Sequence, residues 1–330
     1  MFDAFASQWT PVLFSRELPR AKPVGVRLAG ERVVLWRDRE GRARALIDRC
    51  PHRGVALSLG RRTREGRLEC PFHGWQFDGG GGCAHVPFNA VSDGQRERMS
   101  ATSLATYEAG GLVLVFTEPG ASPGEPLLPE AVLRKDVSVY RYAETWKAHW
   151  TRAMENMLDA PHLPFVHRRS IGRGLRAPAE AGEVMRIEVE PREHGFRTTW
   201  ATDRERESKA HLDWYRPNGM VLHLMDEPRL LRQHLWCVPV DATTTRMMLV
   251  STRGFQRGNP LAWLFDRLNR FILAEDRRVV ESSEPPEVPD PSAEASVASD
   301  RATLAFRRWY LRTLRPDGER ARLKVVREAG

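Results

Sequence analysis

Short apolar or alternating runs, separated by glycine, proline and charged turns, dominate the first 118 residues: VGVRL (24–28), RVVLW (32–36), ARALI (43–47) and GLVLVF (111–116). Runs of this length and period predict strands. The cluster Glu118-Pro119-Gly120-Ala121-Ser122-Pro123-Gly124 predicts a linker, so a domain boundary is expected after residue 118. Beyond it the pattern changes. Residues 144–160 favour a helix that stops at Pro161, and runs near 183–201, 209–226 and 230–252 predict an antiparallel sheet with Arg-Pro-Asn-Gly (216–219) as a turn. A second helix is expected over about 260–282, with Trp263, Leu264, Leu268, Phe271 and Ile272 near helical spacing. Residues 282–300, rich in proline, serine and acid, predict an extended loop or mobile segment, and a last helix is expected from about 301 to 314. The expected class is α+β: an all-β unit over 1–118, then a unit over 119–330 built of helices and an antiparallel sheet.

Composition narrows the possibilities without choosing among them. The chain has 330 residues, 41% hydrophobic and 28% charged, which is ordinary for a globular protein with room for two cores. The start lacks a signal-peptide pattern, and runs such as GLVLVF fall far short of the roughly 20 residues of a membrane span, so a soluble cytoplasmic protein is expected. Four cysteines are too few for a disulfide scaffold, and Cys83 and Cys237 look unpartnered, which fits a reducing compartment. No internal repeat and no glycine-rich nucleotide fingerprint is present. The net charge is +8, and residues 301–330 hold nine Lys/Arg against three Asp/Glu. No nucleic-acid motif accompanies this charge, so nucleic acid is not an expected partner. It reads as a solvated basic face or as a docking surface for an acidic electron carrier.

The chemistry lies in two constellations. The first is Cys50-Pro51-His52, then seventeen residues, then Cys70-Pro71-Phe72-His73-Gly74-Trp75. One sulfur and one imidazole on each of two loops match an iron–sulfur cluster in which Cys50 and Cys70 bind one iron and His52 and His73 the other. The prolines stiffen the loops, Gly74 permits close backbone approach, and Trp75 is placed to pack over the site. A structural Cys₂His₂ zinc site shares the donor count, although zinc modules more often pair their cysteines as C-x₂-C. His85 and Cys83 read as ordinary surface or core residues.

The second constellation is Asn156, Asp159, His162 and His167 within ENMLDAPHLPFVH (155–167). Two histidines and a carboxylate make the facial triad of non-haem Fe(II) oxygenases, which leaves positions open for oxygen. On one continuous helix an i, i+5 pair diverges by about 140°. Pro161 and Pro164 break the helix and let His167 turn back. Asp159, one turn before His162, suits an acceptor that orients an imidazole. The third ligand must come from AEDRRVVES (274–282), where spacing leaves Asp276, Glu275 and Glu281 in competition.

Taken together, CPHRG (50–54), CPFHGWQFDGGGGC (70–83), ENMLDAPHLPFVH (155–167), AEDRRVVE (274–281) and LAFRRWY (304–310) resemble the Rieske non-haem iron oxygenases. The similarity is greatest to the branch containing vanillate O-demethylase, dicamba monooxygenase and pheophorbide a oxygenase, and it covers almost the whole chain. The resemblance implies an N-terminal Rieske [2Fe–2S] domain, a helix-grip (START-like) catalytic domain and a homotrimer. It carries Cys50, His52, Cys70 and His73 over as cluster ligands, and His162, His167 and Asp276 as ligands of a mononuclear Fe(2+). It makes Asp159 the bridge from His162 to a cluster histidine of a neighbouring subunit, with Asn156 beside it. The expected reaction is monooxygenation of an aromatic or other hydrophobic molecule by O2, with electrons from a separate NAD(P)H-dependent reductase or ferredoxin. Ring cis-dihydroxylation is the alternative, desaturation a further one, and a non-catalytic Rieske electron carrier the rival from another class.

Overall fold

The computed structural model describes residues 1–203, 210–255 and 262–315. Its chain divides into two compact units, Met1–Pro126 and Leu127–Gly330. The division falls beyond residue 118 because the linker packs onto the first unit: Trp9 Nε1 donates to the Gly124 carbonyl at 2.8 Å, and the Tyr107 hydroxyl reaches Glu125 at 3.2 Å.

The first unit is β-rich, as its alternation predicts. Its strands are β1 (Trp9–Phe14), β2 (Val24–Leu28), β3 (Glu31–Arg37), β4 (Ala43–Ile47), β5 (Arg61–Arg62), β6 (Leu68–Glu69), β7 (Gln76–Phe77), β8 (Cys83–His85), β9 (Ser103–Leu104), β10 (Thr106–Ala109) and β11 (Leu112–Phe116), with one short helix α1 (Asp93–Arg98). They form antiparallel sheets ordered β1-β11-β10, β2-β3-β4-β9 and β5-β6-β7-β8. Buried Val34, Trp36, Leu46, Leu57, Leu68 and Phe77 make a core beneath the small β5–β8 sheet, and Cys50 and Cys70 belong to it.

The second unit opens with α2 (Glu130–Leu133), β12 (Ser138–Trp146), α3 (Trp150–Leu158), α4 (Leu163–Val166) and α5 (Arg173–Glu180). It continues with β13 (Arg186–Arg192), β14 (Gly195–Ala201), β15 (His211–Tyr215), β16 (Gly219–Met225), β17 (Leu231–Asp241), β18 (Thr244–Arg253), α6 (Ala262–Val280) and α7 (Arg301–Thr313). Strands β13 to β18 run as consecutive hairpins, and β12 closes the far edge beside β18. Alternation along these strands points Leu212, Met220, Leu222, Leu224, Leu231, Leu235 and Leu249 to one face, where they line a cavity.

One expectation changes and two gain detail. The helix expected over 144–160 is Trp150–Leu158, and residues 144–146 finish β12. Period two wins there because the Tyr142 hydroxyl and Trp146 Nε1 both donate to the Glu144 between them, at 2.9 and 2.6 Å. The helix over Ala262–Val280 forms, but Trp263, Leu264 and Phe271 are about half exposed. The cavity is lined instead by Phe265, Leu268, Asn269, Ile272, Leu273 and Asp276. The segment 282–300 is extended and tied down: Val288 is buried and its N–H donates to Thr151 Oγ1, while Arg152 donates to Pro285 O and to Glu294. Glu294 and Glu155 both pair with Arg307 of α7, which fixes α3 where it carries the second constellation. About half of the basic C-terminal stretch, residues 316–330, lies outside the described residues.

Candidate metal centres

Two loops of the first unit are built alike. Cys50 N donates to Val55 O at 2.8 Å and Gly54 N to Cys50 O at 2.8 Å; Cys70 N donates to Trp75 O at 2.8 Å and Gly74 N to Cys70 O at 3.1 Å. Gly54 and Gly74 sit at φ +71° and +69°, where a side chain would strain the turn. Each loop therefore folds tightly behind its cysteine and holds that sulfur inward.

Cys50 and Cys70 are 2% exposed, with their thiols in hydrogen-bonding reach of each other. Burial, with Cys70 adding to it, pushes the Cys50 thiol up to about 11, so ionisation there calls for a cation. The imidazoles lie further out. The His52 and His73 ring centroids are 4.7 Å apart, Trp75 stacks on His52 at 4.6 Å and 4°, and Phe72 covers His73 at 4.0 Å. His52 Nδ1 is buried with no protein partner. Among the described residues two groups of three ligand types bring their donor atoms within 4.8 Å of one another, and these four residues form neither. A single zinc ion would draw all four donors to within bonding distance of one point. A sulfur pair set apart from an imidazole pair fits a two-iron cluster instead. His85 is exposed on β8 and Cys83 is buried in the core.

In the second unit α3 stops at Leu158, and Asp159 leaves it in an extended conformation. Its Oδ2 accepts from the His162 backbone N–H at 2.9 Å and lies 3.2 Å from His162 Nδ1. The short α4 carries the chain from His162 round to His167. His167 Nδ1 donates to Glu275 Oε2 at 3.0 Å, an oxygen that also accepts from Ser170 Oγ at 2.7 Å. With both Nδ1 atoms engaged, the two Nε2 atoms face each other at 3.3 Å and lie 3.4 and 3.0 Å from Asp276 Oδ1. Asp276 and His167 are 3% and 1% exposed.

The electrostatics favour a cation at this point. Burial pulls the His162 imidazole down, but the Asp159 and Asp276 carboxylates outweigh it and lift the group to about 9. Burial pushes the Asp276 carboxyl up, and the two imidazoles reverse that and hold it below the usual carboxylate range. Two imidazole nitrogens and a carboxylate converging in an apolar setting call for a positive charge among them, a proton on His162 or a metal ion in its place. The donor set suits Fe(II) with open positions. Of the carboxylates that spacing left in competition, Asp276 joins the histidines and Glu275 stands behind His167. Glu281 lies apart, accepting from Lys147 N at 2.8 Å and Arg277 Nε at 2.7 Å.

These groups stand at one part of the cavity, of about 360 Å³, between the sheet and α6. Its walls are largely leucine, with Met157, Ile171, Met220, Phe265 and Ile272. Asn156 lines it too, and its Nδ2 is buried without a partner. Gln233 and Asn269 are polar lining residues that sequence reasoning missed. Their signal was a single amide breaking the Leu231–Leu235 alternation and another breaking the apolar face of α6.

A second convergence, also missed, is His211, Asp213 and His223 on facing positions of β15 and β16. Arg197 already holds both Asp213 oxygens, at 2.7 and 2.8 Å, and His223 Nε2 lies 3.1 Å from Asp213. A guanidinium in that place repels a metal ion. The group is an ion network pinning β14, β15 and β16 together.

Comparison with known proteins matches residues 8–108 to the Rieske [2Fe-2S] domain and residues 146–315 to the vanillate O-demethylase oxygenase C-terminal domain. The chain is 33% identical over 179 residues to chlorophyllide a oxygenase of Chlamydomonas reinhardtii, covering 52% of this chain and 26% of that protein. It is 29% identical over 201 residues to the phthalate 4,5-dioxygenase oxygenase subunit of Pseudomonas putida, covering 57% of this chain and 46% of that one. The match thus spans less than half the length of these relatives. The crystal structure of dicamba monooxygenase bound to dicamba has the same fold, with a TM-score of 0.76 at 20% identity over 94% of this chain and 97% of that one.

Proposed function

The chain belongs to the Rieske oxygenases whose catalytic half is the vanillate O-demethylase oxygenase C-terminal domain, and from that premise we propose that it is an oxygenase component that monooxygenates a hydrophobic small molecule. The observation that carries this reading is the convergence of His162 Nε2, His167 Nε2 and Asp276 Oδ1 on a cavity walled by leucines. In it, Cys50, His52, Cys70 and His73 hold a [2Fe–2S] cluster, and His162, His167 and Asp276 hold a mononuclear Fe(2+).

When bound, the iron supplies the activation of O2 and the cluster supplies electrons one at a time. The chain's own side chains do the rest. Asp159 and Glu275 hold the Nδ1 protons of His162 and His167, so each ring keeps its Nε2 lone pair free and aimed at the centre. The apolar walls keep water out and orient the substrate. Asn156, with an unpartnered amide N–H at the metal end, is placed to donate to a polar group there.

A separate reductase or ferredoxin delivers the electrons, in keeping with the lack of a nucleotide fingerprint in the sequence. Asp159 passes them to His162 from the cluster of a neighbouring subunit in a homotrimer. The half-exposed Trp263, Leu264 and Phe271 on α6 give such an assembly apolar surface to bury. A cytoplasmic setting is supported by Cys83 and Cys237, buried thiols in no disulfide; separately, no helix among the described residues is long and apolar enough to cross a membrane.

The reading is tested by single turnover of chemically reduced protein under 18O2 with a panel of methyl aryl ethers and alkylarenes. One heavy-oxygen atom in an alcohol or ring-hydroxylated product, or formaldehyde released with an unlabelled phenol from an ether, supports monooxygenation. Two in a cis-diol favour dihydroxylation, which the phthalate 4,5-dioxygenase relative keeps in view. Reduced protein that transfers no oxygen to any member of the panel contradicts the proposal.

A further inference from the structure

We propose that Gln233 and Asn269 form an amide-reading subsite, and that the substrate carries a neutral N–H donor and a carbonyl acceptor side by side, as on the edge of a lactam, imide or cis-amide. This deepens the oxygenase reading and rests on it for the word substrate. The binding claim stands on the cavity alone.

Strand β17 presents Leu231, Gln233 and Leu235 to the cavity, so one amide interrupts a leucine strip. Facing it, α6 presents Phe265, Leu268, Asn269, Ile272 and Leu273, again with one amide among apolar side chains. Gln233 is 8% exposed and Asn269 7%. Gln233 Nε2 donates to Asn269 Oδ1 at a long 3.3 Å.

Two primary amides can close a ring with two hydrogen bonds, and here only one is made. Gln233 Oε1 and Asn269 Nδ2 are both buried with no protein partner. Ser251, opposite Gln233 in the β17–β18 ladder, leaves its hydroxyl unpartnered as well. Exchanging both amides end for end still leaves one acceptor and one donor, so the complement required of a ligand does not depend on that assignment. Buried polar groups without partners are rare in a finished core and common where a ligand completes the set.

The remaining acceptor needs an N–H or O–H, and the remaining donor needs a carbonyl. A carboxylate would meet Gln233 Oε1 with like polarity, so a neutral edge is favoured. Asn269 lies seven residues before Asp276 on the same face of α6, about 10 Å along the axis. The polar edge is therefore held away from the metal ligands and an apolar part of the molecule lies nearer them. Side chains built to hydrogen-bond a ligand reject an analogue lacking the matching group, because they are then left unpaired.

Equilibrium dialysis of the oxidised holoprotein, with no electron donor, tests this using 2-quinolone, N-methyl-2-quinolone and naphthalene. The lactam should bind on the order of tenfold more tightly than either analogue. Gln233→Met, which keeps the volume, should abolish the preference for the free N–H. Gln233→Leu with Asn269→Leu should bind naphthalene at least as well as 2-quinolone. Equal affinities in the unaltered protein, no measurable binding of the lactam, or a preference that survives Gln233→Met overturns the subsite. Non-cluster iron is measured on the same samples. Its absence counts against the oxygenase reading, whereas a missing preference in iron-loaded protein counts against the subsite.

Discussion

His162 and His167 meet through their Nε2 atoms at 3.3 Å, while the opposite nitrogen of each ring is held by a carboxylate, Asp159 for one and Glu275 for the other. That arrangement turns both Nε2 atoms toward one point, and Asp276 Oδ1 completes a three-sided pocket for a cation.

Asp276→Ala should therefore remove non-cluster iron while leaving the cluster's absorption spectrum unchanged. Glu281→Ala should keep both irons, since Glu281 bonds only to Lys147 N and Arg277 among the contacts seen. Iron analysis after gel filtration checks the pair. Retained iron in Asp276→Ala, or its loss in Glu281→Ala, would reverse the choice of third ligand.

Glu275 holds Nδ1 of His167, and in the proposed centre it would tune iron affinity through that ring. Glu275→Gln keeps the shape but weakens the acceptor that fixes the ring, and iron affinity should fall about 10- to 100-fold. Competition with a calibrated chelator measures this, and an unchanged affinity would make Glu275 a helix-surface carboxylate with no role in the centre.

Asp159→Asn should retain both metals and lose most turnover, because an amide cannot accept from two imidazole N–H groups as a carboxylate does. Stopped-flow oxidation of the reduced cluster separates this from a purely structural role. Slow cluster oxidation in a protein of unchanged melting temperature is expected. Normal transfer would remove the bridge.

A pH response follows from His234, fully buried on the opposite face of β17 from Gln233. Burial first, then His223 and Arg232, push its imidazole down to about 3. Above pH ~6.5 the group is neutral folded or unfolded and contributes no pH dependence. As pH falls from there toward 3, only the unfolded chain takes the proton, so stability is lost by up to about 1.4 kcal/mol per pH unit. Between pH 6.5 and 5 the loss is about 2 kcal/mol. His234→Gln should flatten this part of the stability profile, and an equally steep fall in the variant would mean that other groups cause it.

Much of this was legible in the sequence because the informative residues are local. VGVRL and ARALI are strands β2 and β4 residue for residue, since their alternation is satisfied by their neighbours in the sheet. The spacings around Cys50, Cys70, His162 and His167 specify tight turns that need little from elsewhere. What depended on distant partners was not legible. Spacing could not rank Asp276 above Glu275 because both sit on α6, and the choice is made by how α6 meets α4. Residues 144–146 follow a β12–β18 pairing across a hundred residues rather than the local helix preference. Gln233 and Asn269 lie 36 residues apart on facing elements and carry meaning only as a pair.

A Rieske cluster and a separate iron in one chain fix the ratio of iron to acid-labile sulfide, which is measured on anaerobically purified protein. A [2Fe–2S] cluster alone contributes the two in equal amounts. Iron should exceed sulfide, a mild chelator should remove only the excess, and the excess should be absent from His162→Ala and His167→Ala while the cluster's reduced-state EPR signal persists. Equal iron and sulfide in protein reconstituted with ferrous iron would reduce the chain to an electron carrier. Zinc in place of iron and sulfide at Cys50, His52, Cys70 and His73 would contradict the account outright.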